Sequence, residues 1–337
     1  MTRCPSCRAR DFRPTERCQA LDRPNALECS HCGLIAERGA LQGDANGSDG
    51  ASLARSSAWI AGEVGSVLAE RLEDEIFALS ADDPVFLESY ALRTLALSKS
   101  LAAIPADAAQ WNALKAPYTK LPAQAKLVPL GEIEPVPVSV VILCRPGDVS
   151  ALTGLVERLA PCFADIVLLI DAKTIAPGMT QPDGARLAAR PLAGHFAAQR
   201  NAGQDLALYD WVLQLDADEG LARSALGSVG HVAAYADQAG TLSVGLLREN
   251  RVDRRLSDLF PDVQYRLNRK AVRYAGAVHE RPDLPRGWRD SMIAPNLVIE
   301  HRLSRAHVEA RSKAYEAMSP GHGRTFEAGD LLRPYRP

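Results

Sequence analysis

Two groups of residues in this chain have the types and spacing to do chemistry. The first is a set of thiols. Cys4-x-x-Cys7 and Cys29-x-x-Cys32 stand 21 residues apart and take four of the seven cysteines. Paired knuckles at this separation assemble a tetrahedral thiolate site of the zinc-ribbon kind. Four thiolates leave zinc no open position, so such a site is structural. Four free thiols, or disulfides in an oxidising compartment, are the alternative. Cys18 and His31 are spare, and Cys144 and Cys162 read as small core hydrophobes. The second group is acidic. Asp216-Ala217-Asp218-Glu219 follows the apolar run WVLQL. Residues two apart on an extended backbone face the same way, so Asp216 and Asp218 can reach one site. A hard cation such as Mg2+ or Mn2+ takes one or two carboxylates and fills its shell with water and phosphate oxygens. The plainer alternative is that the pair caps a following helix. His279-Glu280 is a further candidate pair, and His301, after the apolar residues 297–299, is a further candidate metal ligand. Each has an ordinary structural alternative.

The elements that must hold these groups follow from the apolar pattern. VSVVILC at 138–144 is a nearly continuous β-branched run, as in a parallel strand covered on both faces. Leu152 to Leu159 reads as a helix. Ile166 to Ile170 reads as a second strand, ending at Asp171, and a short third lies near Ala185–Ala189. Residues 195–209 form a helix whose small alanines allow close approach to a sheet. Trp211 to Leu215 is a further strand. Alternating strands and helices predict a layered α/β sheet. Asp171 and Asp216 then meet at the same edge, the carboxyl ends of the strands, where such sheets bind ligands.

Upstream, residues 1–38 form the zinc module and 39–55, rich in Gly, Ser, Asp and Asn, read as a flexible linker. That linker is expected to leave the module separable from the remainder. Residues 56–115 read as helical: Ile60, Val64, Val67, Leu68, Leu72 and Ile76 recur at helical spacing, as do Phe86, Tyr90, Leu97, Leu101 and Ile104. Five prolines mark 116–135 and its edge as an extended connection. The α/β domain occupies 136–318, and 319–337 is a C-terminal tail.

Residues 195–221, HFAAQRNAGQDLALYDWVLQLDADEGL, resemble the central segment of family 2 glycosyltransferases of the GT-A fold. Arg200-Asn201, Asp210-Trp211, the strand and the LDADE text carry the likeness. A second block, QYRLNRKAVRYAGAVHERP at 264–282, resembles that family's later Gly-x-Val-His-Glu segment, in the form found in its lipopolysaccharide-core glucosyltransferase branch. The resemblance covers about half of the chain. It implies a GT-A layered sheet and an inverting transfer of a hexosyl group from a nucleoside-diphosphate sugar to a cell-surface glycan or glycolipid precursor. It implies that Asp171, Arg200, Asn201 and Asp216 bind the donor and that Asp218, with Asp216, holds Mg2+ or Mn2+, to which His301 is the added candidate ligand. Glu280 is then the base that takes the acceptor's proton, with His279 beside it. Asp183 would stand in for a further donor aspartate, and Arg266 and Arg269 for contacts to acceptor or diphosphate. Arg200 as a solvated helix arginine is the alternative. The chain departs from the family after its first strand, where Cys144-Arg145-Pro146-Gly147-Asp148 replaces an Asn-Glu-like pair.

Composition narrows the classes. With 337 residues and net charge -2, the chain has no basic face for nucleic acid. Its apolar runs are too short to span a bilayer, and no secretory signal opens it. A cytoplasmic enzyme is expected, with peripheral contact at the inner membrane face left open. A non-catalytic sugar-nucleotide-binding or zinc-ribbon adaptor is the competing class. A nucleotidyltransferase is disfavoured, since a Gly-rich phosphate loop and activating lysine are missing after the first strand.

Overall fold

The computed structural model describes residues 3–4, 6–14, 26–32, 34–37, 77–78, 89–116, 121, 123–321, 323 and 327–336. The linker 39–55, the helical pattern over 60–76, Phe86 and Cys18 lie outside the described residues. The chain is mixed α/β. A first sheet holds β1 (Phe12–Arg13), β2 (Ala26–Cys29) and β3 (Ile35–Glu37) in that order, all antiparallel. A second begins with β4 (Phe77–Ala78), followed by α1 (Ser89–Ser98), β5 (Leu101–Pro105), α2 (Ala108–Lys115) and β6 (Gln124–Pro129). Its order is β4-β6-β5.

This second sheet corrects two expectations. Leu101 and Ile104 do not continue a helix. The chain turns at Ser100, whose φ is 57°, and runs on as β5. Ala102 and Ala103 are wholly buried there, so the apolar residues fill both faces of a strand. Short apolar runs leave helix and strand undecided by period alone. The proline-rich stretch 116–135 is likewise not a bare connection, because β6 pairs antiparallel with β5 from Leu101↔Pro129 to Pro105↔Ala125. Both of those prolines stand at strand ends, where a missing N–H is tolerated.

The main sheet follows. Its elements are β7 (Val138–Cys144), α3 (Thr153–Leu159), β8 (Asp165–Ile170), β9 (Arg186–Ala189), α4 (Phe196–Leu206), β10 (Trp211–Asp216), β11 (Glu219–Leu221), α5 (Arg223–Leu226), α6 (Val229–Gln238), β12 (Ser243–Val252), β13 (Arg255–Leu256) and β14 (Asp262–Arg269). The hairpin β15 (Arg273–Ala275) and β16 (Arg281–Asp283) leads into β17 (Ser291–Leu303), then α7 (Arg305–Met318) and α8 (Glu327–Leu332). Strand order is β11-β17-β12-β14-β10-β7-β8-β9, with β13 on β12. β10, β7, β8 and β9 are parallel, while β14 enters antiparallel beside β10. Every residue of β7 and β8 is buried, as their unbroken apolar text requires.

The four-cysteine module is not a detached bead. Its cysteines, Leu27 and Leu34 share one apolar cluster with Leu92 and Leu95 of α1, Leu247 of β12, Val263 of β14 and Ile293 of β17. Arg3 and Arg10 also pair with Asp258, in the loop before β14, each at 3.3 Å. The expectation of a separable module fails because its small core needs a neighbouring face to bury against. The 319–337 segment also packs: Leu331 of α8 joins Val252, Leu303 and Val308 in a core cluster.

Candidate functional site

The four thiols converge. Sγ of Cys4 lies 3.5 Å from that of Cys32, and Sγ of Cys7 lies 3.6 Å from that of Cys29. All four sulfurs lie within 4.8 Å of one another and are buried. A tetrahedral zinc with bonds of about 2.3 Å has sulfur–sulfur edges of about 3.8 Å, so the arrangement fits that ion. Hydrogen bonds to Cys29 from Cys32, then Cys4 and Cys7, hold its pKa well below the ordinary thiol value. Among the described residues this is the only group of three or more metal-ligating side chains drawn together.

The acidic edge sits where β7, β8 and β10 end. Cys144, Asp171 and Asp216 to Asp218 line a cleft of about 590 Å³, closed on one side by Leu192, Phe196 and Gln199 and on the other by α7. That volume suits a small organic ligand. Asp171 is fixed at the rim, its Oδ1 accepting from the Leu192 N–H at 2.7 Å.

Asp216 and Asp218 part company. Both oxygens of Asp216 are taken by guanidinium groups, Arg200 Nη2 at 2.7 Å and Arg266 Nη2 at 2.8 Å. Burial raises the Asp216 pKa, but Arg200 and Arg266 outweigh it and hold the carboxyl below its usual range. Asp218 instead faces His301, with Oδ2 3.1 Å from Nε2. The tautomer of that histidine is set behind it. Asn250 Nδ2 donates to Asp262 Oδ2 at 3.0 Å and toward the Leu259 carbonyl at 3.4 Å. Its Oδ1 is therefore the acceptor that meets His301 Nδ1 at 2.7 Å. Nδ1 is thus the ring nitrogen that donates to Asn250, and Nε2 is the one that faces the Asp218 carboxylate. A metal ion between Nε2 and Oδ2 would satisfy both. Neighbouring ligands of an octahedral Mg2+ or Mn2+, with bonds of about 2.1 Å, stand about 3 Å apart, so this pair fits two adjacent positions of such an ion.

Arg200 is buried, with 1% of its side chain exposed, and bonds Asp216 and Glu280. It faces carboxylates inside the protein, and the solvated alternative is removed. Glu280 accepts from Arg200 Nε and, at 3.3 Å, from Arg266 Nη1. Burial raises its pKa, while Arg200 and then Arg266 outweigh that and lower it. A buried carboxylate held ionised by two arginines is a weak proton acceptor, and Glu280 is absent from the cleft lining. Asn201 is equally occupied: Nδ2 donates to the Tyr274 carbonyl at 3.0 Å and Oδ1 accepts from the Tyr274 N–H at 2.8 Å. It clamps α4 to β15 and offers no edge to a ligand. His279 has a φ of 51°, and its ring meets Tyr315 edge-on at 5.4 Å. The loop it occupies caps α4, because the carbonyls of Ala277 and Gly276 accept from the N–H groups of Phe196 and Ala197. Arg269 pairs with Asp237 at 2.6 Å and lies over Trp211, away from the cleft. Asp183 does not line the cleft either.

Sequence reasoning missed the buried partners of this network. Glu219, with none of its side chain exposed, accepts from Arg248 at 2.8 Å and Arg266 at 3.3 Å. Arg248 passes on to Asp262 at 2.5 Å. The LDADE text contains Glu219 and was a signal for it. Alternation puts Arg248 and Asn250 on the same face of β12 as Val244, Leu246 and Val252, but nothing local names Asp262 as their partner.

No protein-family profile matches the chain, and no curated protein is detectably similar to it in sequence. Among solved structures, S. aureus TarS aligns over 58% of this chain and 42% of its own, at 14% identity and a TM-score of 0.35. The chain thus spans under half of that protein. S. aureus TarS 1-349 in complex with UDP aligns over 58% of this chain and 70% of its own, at 12% identity and a TM-score of 0.32. A putative glucose-1-phosphate thymidylyltransferase from Bacillus anthracis, in complex with a sucrose, aligns over 59% and 86%, at 12% identity and a TM-score of 0.27. Scores this low establish neither a shared fold nor a shared activity. No helix among the described residues is long and apolar enough to cross a membrane.

Proposed function

We propose that this chain is a nucleoside-diphosphate-sugar-dependent glycosyltransferase of the GT-A, family 2 kind, with inverting chemistry and a glycan or glycolipid precursor as acceptor. Asp218, which lines a cleft at the carboxyl edge of a parallel sheet and is backed by the buried His301, carries this reading. A divalent ion held there would offset charge on the departing diphosphate. Asp171 sits across the cleft, suited to hydrogen-bond a ribose or base. In the transfer, an acceptor hydroxyl forms a bond to the anomeric carbon as the bond to the diphosphate oxygen breaks. The electron pair goes to that oxygen, and the hydroxyl proton goes to a base.

Glu280 anchors Arg200 and Arg266, which in turn orient Asp216. We assign it positioning in place of proton transfer. The second reading is a sugar-nucleotide-binding protein without turnover, favoured by the pairing of Asp216 with two arginines.

Release of nucleoside diphosphate from a panel of donor sugars, with and without Mn2+, tests the proposal. Mn2+-dependent release is expected, and Asp218→Asn should lose the Mn2+-dependent part of donor binding with little loss of folding, since Asp218 is over a third exposed. Wild-type Mn2+ dependence in Asp218→Asn would move the metal elsewhere. Binding without release would favour the second reading. Glu280→Gln should weaken donor binding along with turnover. A selective loss of turnover, about 10²–10⁴ in rate, would return it to the base.

A further inference from the structure

Two cations in the cleft have no partner in the network just described. Arg145 follows β7, and Arg311 projects from α7; both line the cleft beside Asp218 and His307. Neither forms an ion pair among the described residues. By contrast, Arg200, Arg248 and Arg266 are each buried against carboxylates.

Both are held in place. The Arg145 N–H donates to Asp148 Oδ2 at 2.8 Å, and the Asp148 N–H donates to the Arg145 carbonyl at 3.0 Å. This reciprocal turn fixes where Arg145 leaves the strand. It uses the Arg-Pro-Gly-Asp text that departs from the family's usual residues. Arg311 is positioned from one turn away. Tyr315 is wedged between Phe196 of α4, at 5.7 Å, and His279, at 5.4 Å, both edge-on. That aromatic set pins α7 across the cleft. Residues four apart share a helix face, so Arg311 is carried into the same opening. It lies over the Tyr315 ring at 5.9 Å. Arg145, Asp218, His307 and Arg311 all line this one cleft.

We infer that Arg145 and Arg311 form a diphosphate clamp that grips the ligand directly, beside the Asp218–His301 pair. This rests on the proposed function and adds to it. A planar guanidinium matches phosphate oxygens with two parallel hydrogen bonds, and two of them, one from the end of β7 and one from α7, match a diphosphate. The consequence is specific. Phosphate binding here has a part that needs no metal ion and a part that does. Charge on the leaving group is met both by the metal-binding pair and by the two guanidinium groups.

Calorimetric titration of the full chain with inorganic pyrophosphate, and separately with UDP, each in EDTA and in Mn2+, tests the clamp. Pyrophosphate reports the shared chemistry whatever the base. Binding is expected in EDTA and should tighten in Mn2+. Arg145→Ala and Arg311→Ala should each weaken the EDTA binding by tenfold or more, and Arg311→Lys should recover only part of it. Both side chains reach solvent, so neither variant should disturb folding, and a thermal melt checks this. If wild-type protein binds pyrophosphate and both alanine variants keep its affinity, the clamp is overturned while the proposed function stands. If wild-type protein binds neither probe even in Mn2+, the site is not a diphosphate site and both fall.

Discussion

Glu219 shows how the site is held at the level of one residue. Burial pushes its pKa up, but Arg266 and then Arg248 outweigh that and bring it to about 2, against an ordinary 4.5. A depressed pKa contributes stability that is complete above the unfolded value and is lost as pH falls through the folded one. The window here runs from pH 4.5 down to about 2. A shift of this size corresponds to roughly 3 kcal/mol. Wild-type protein should therefore lose stability steeply across that window. Asp216, Asp262 and Glu280 act in the same direction. Glu219→Gln should flatten part of the slope. It should also cost about 3–5 kcal/mol at neutral pH, because it strips a buried partner from two arginines. Denaturant unfolding at several pH values measures both effects, and an unchanged slope would mean that the network carries no such linkage.

Among the elements, α4 matters most, since it brings Arg200 under Asp216 and Asn201 to β15. Its approach to the sheet depends on Gly203. A Cβ there would stand 2.7 Å from Val141 Cγ1 of β7. Gly203→Ala should therefore push α4 outward and cost about 1–3 kcal/mol by overpacking. Donor affinity should fall with it, because Arg200 sits one turn away on the same helix. Gly154→Ala in α3, where an added Cβ meets nothing within 4 Å, is the control and should be neutral or slightly stabilising. Urea titration of the two variants decides the point; equal stabilities would show that α4 can yield at no cost.

In the whole molecule, the four-cysteine module is joined to the main sheet by a shared apolar cluster and by the loop before β14. Arg3 donates to the Phe260 carbonyl and pairs with Asp258, and Arg3 Nε donates to the Arg336 carbonyl at 2.9 Å. The Asp258 N–H bonds the Arg333 carbonyl at 2.8 Å. The same loop presents the Leu259 carbonyl, and the first residue of β14 presents Asp262, to Asn250, which orients His301. Removing zinc should thus destabilise more than the knuckles. One zinc per chain is expected by metal analysis, and a chelator-stripped protein should melt at a lower temperature in a single transition, since metal binding is folding free energy. A second, unshifted transition for the main sheet would restore the separable module.

The sequence by itself determined the strands and helices from β7 to β10, the carboxyl-edge position of Asp171, Asp216 and Asp218, and the four thiols of the module. Those features are local: an apolar period, a knuckle spacing, or an aspartate after a strand reads directly from neighbouring residues. Partnership was not legible. Arg200 and Glu280 are 80 residues apart, and only the capping of α4 by the loop at 276–277 brings them together. The sequence also could not divide Asp216 from Asp218. Alternation gives two carboxylates one face, but the tertiary structure sends two arginines to the first and a histidine to the second. The same holds for β5 and β6, whose pairing partners lie outside the window in which a period can be read. Charge neutralisation inside a low-dielectric core is a property of whichever groups the fold brings within a few ångströms, and no local pattern encodes that.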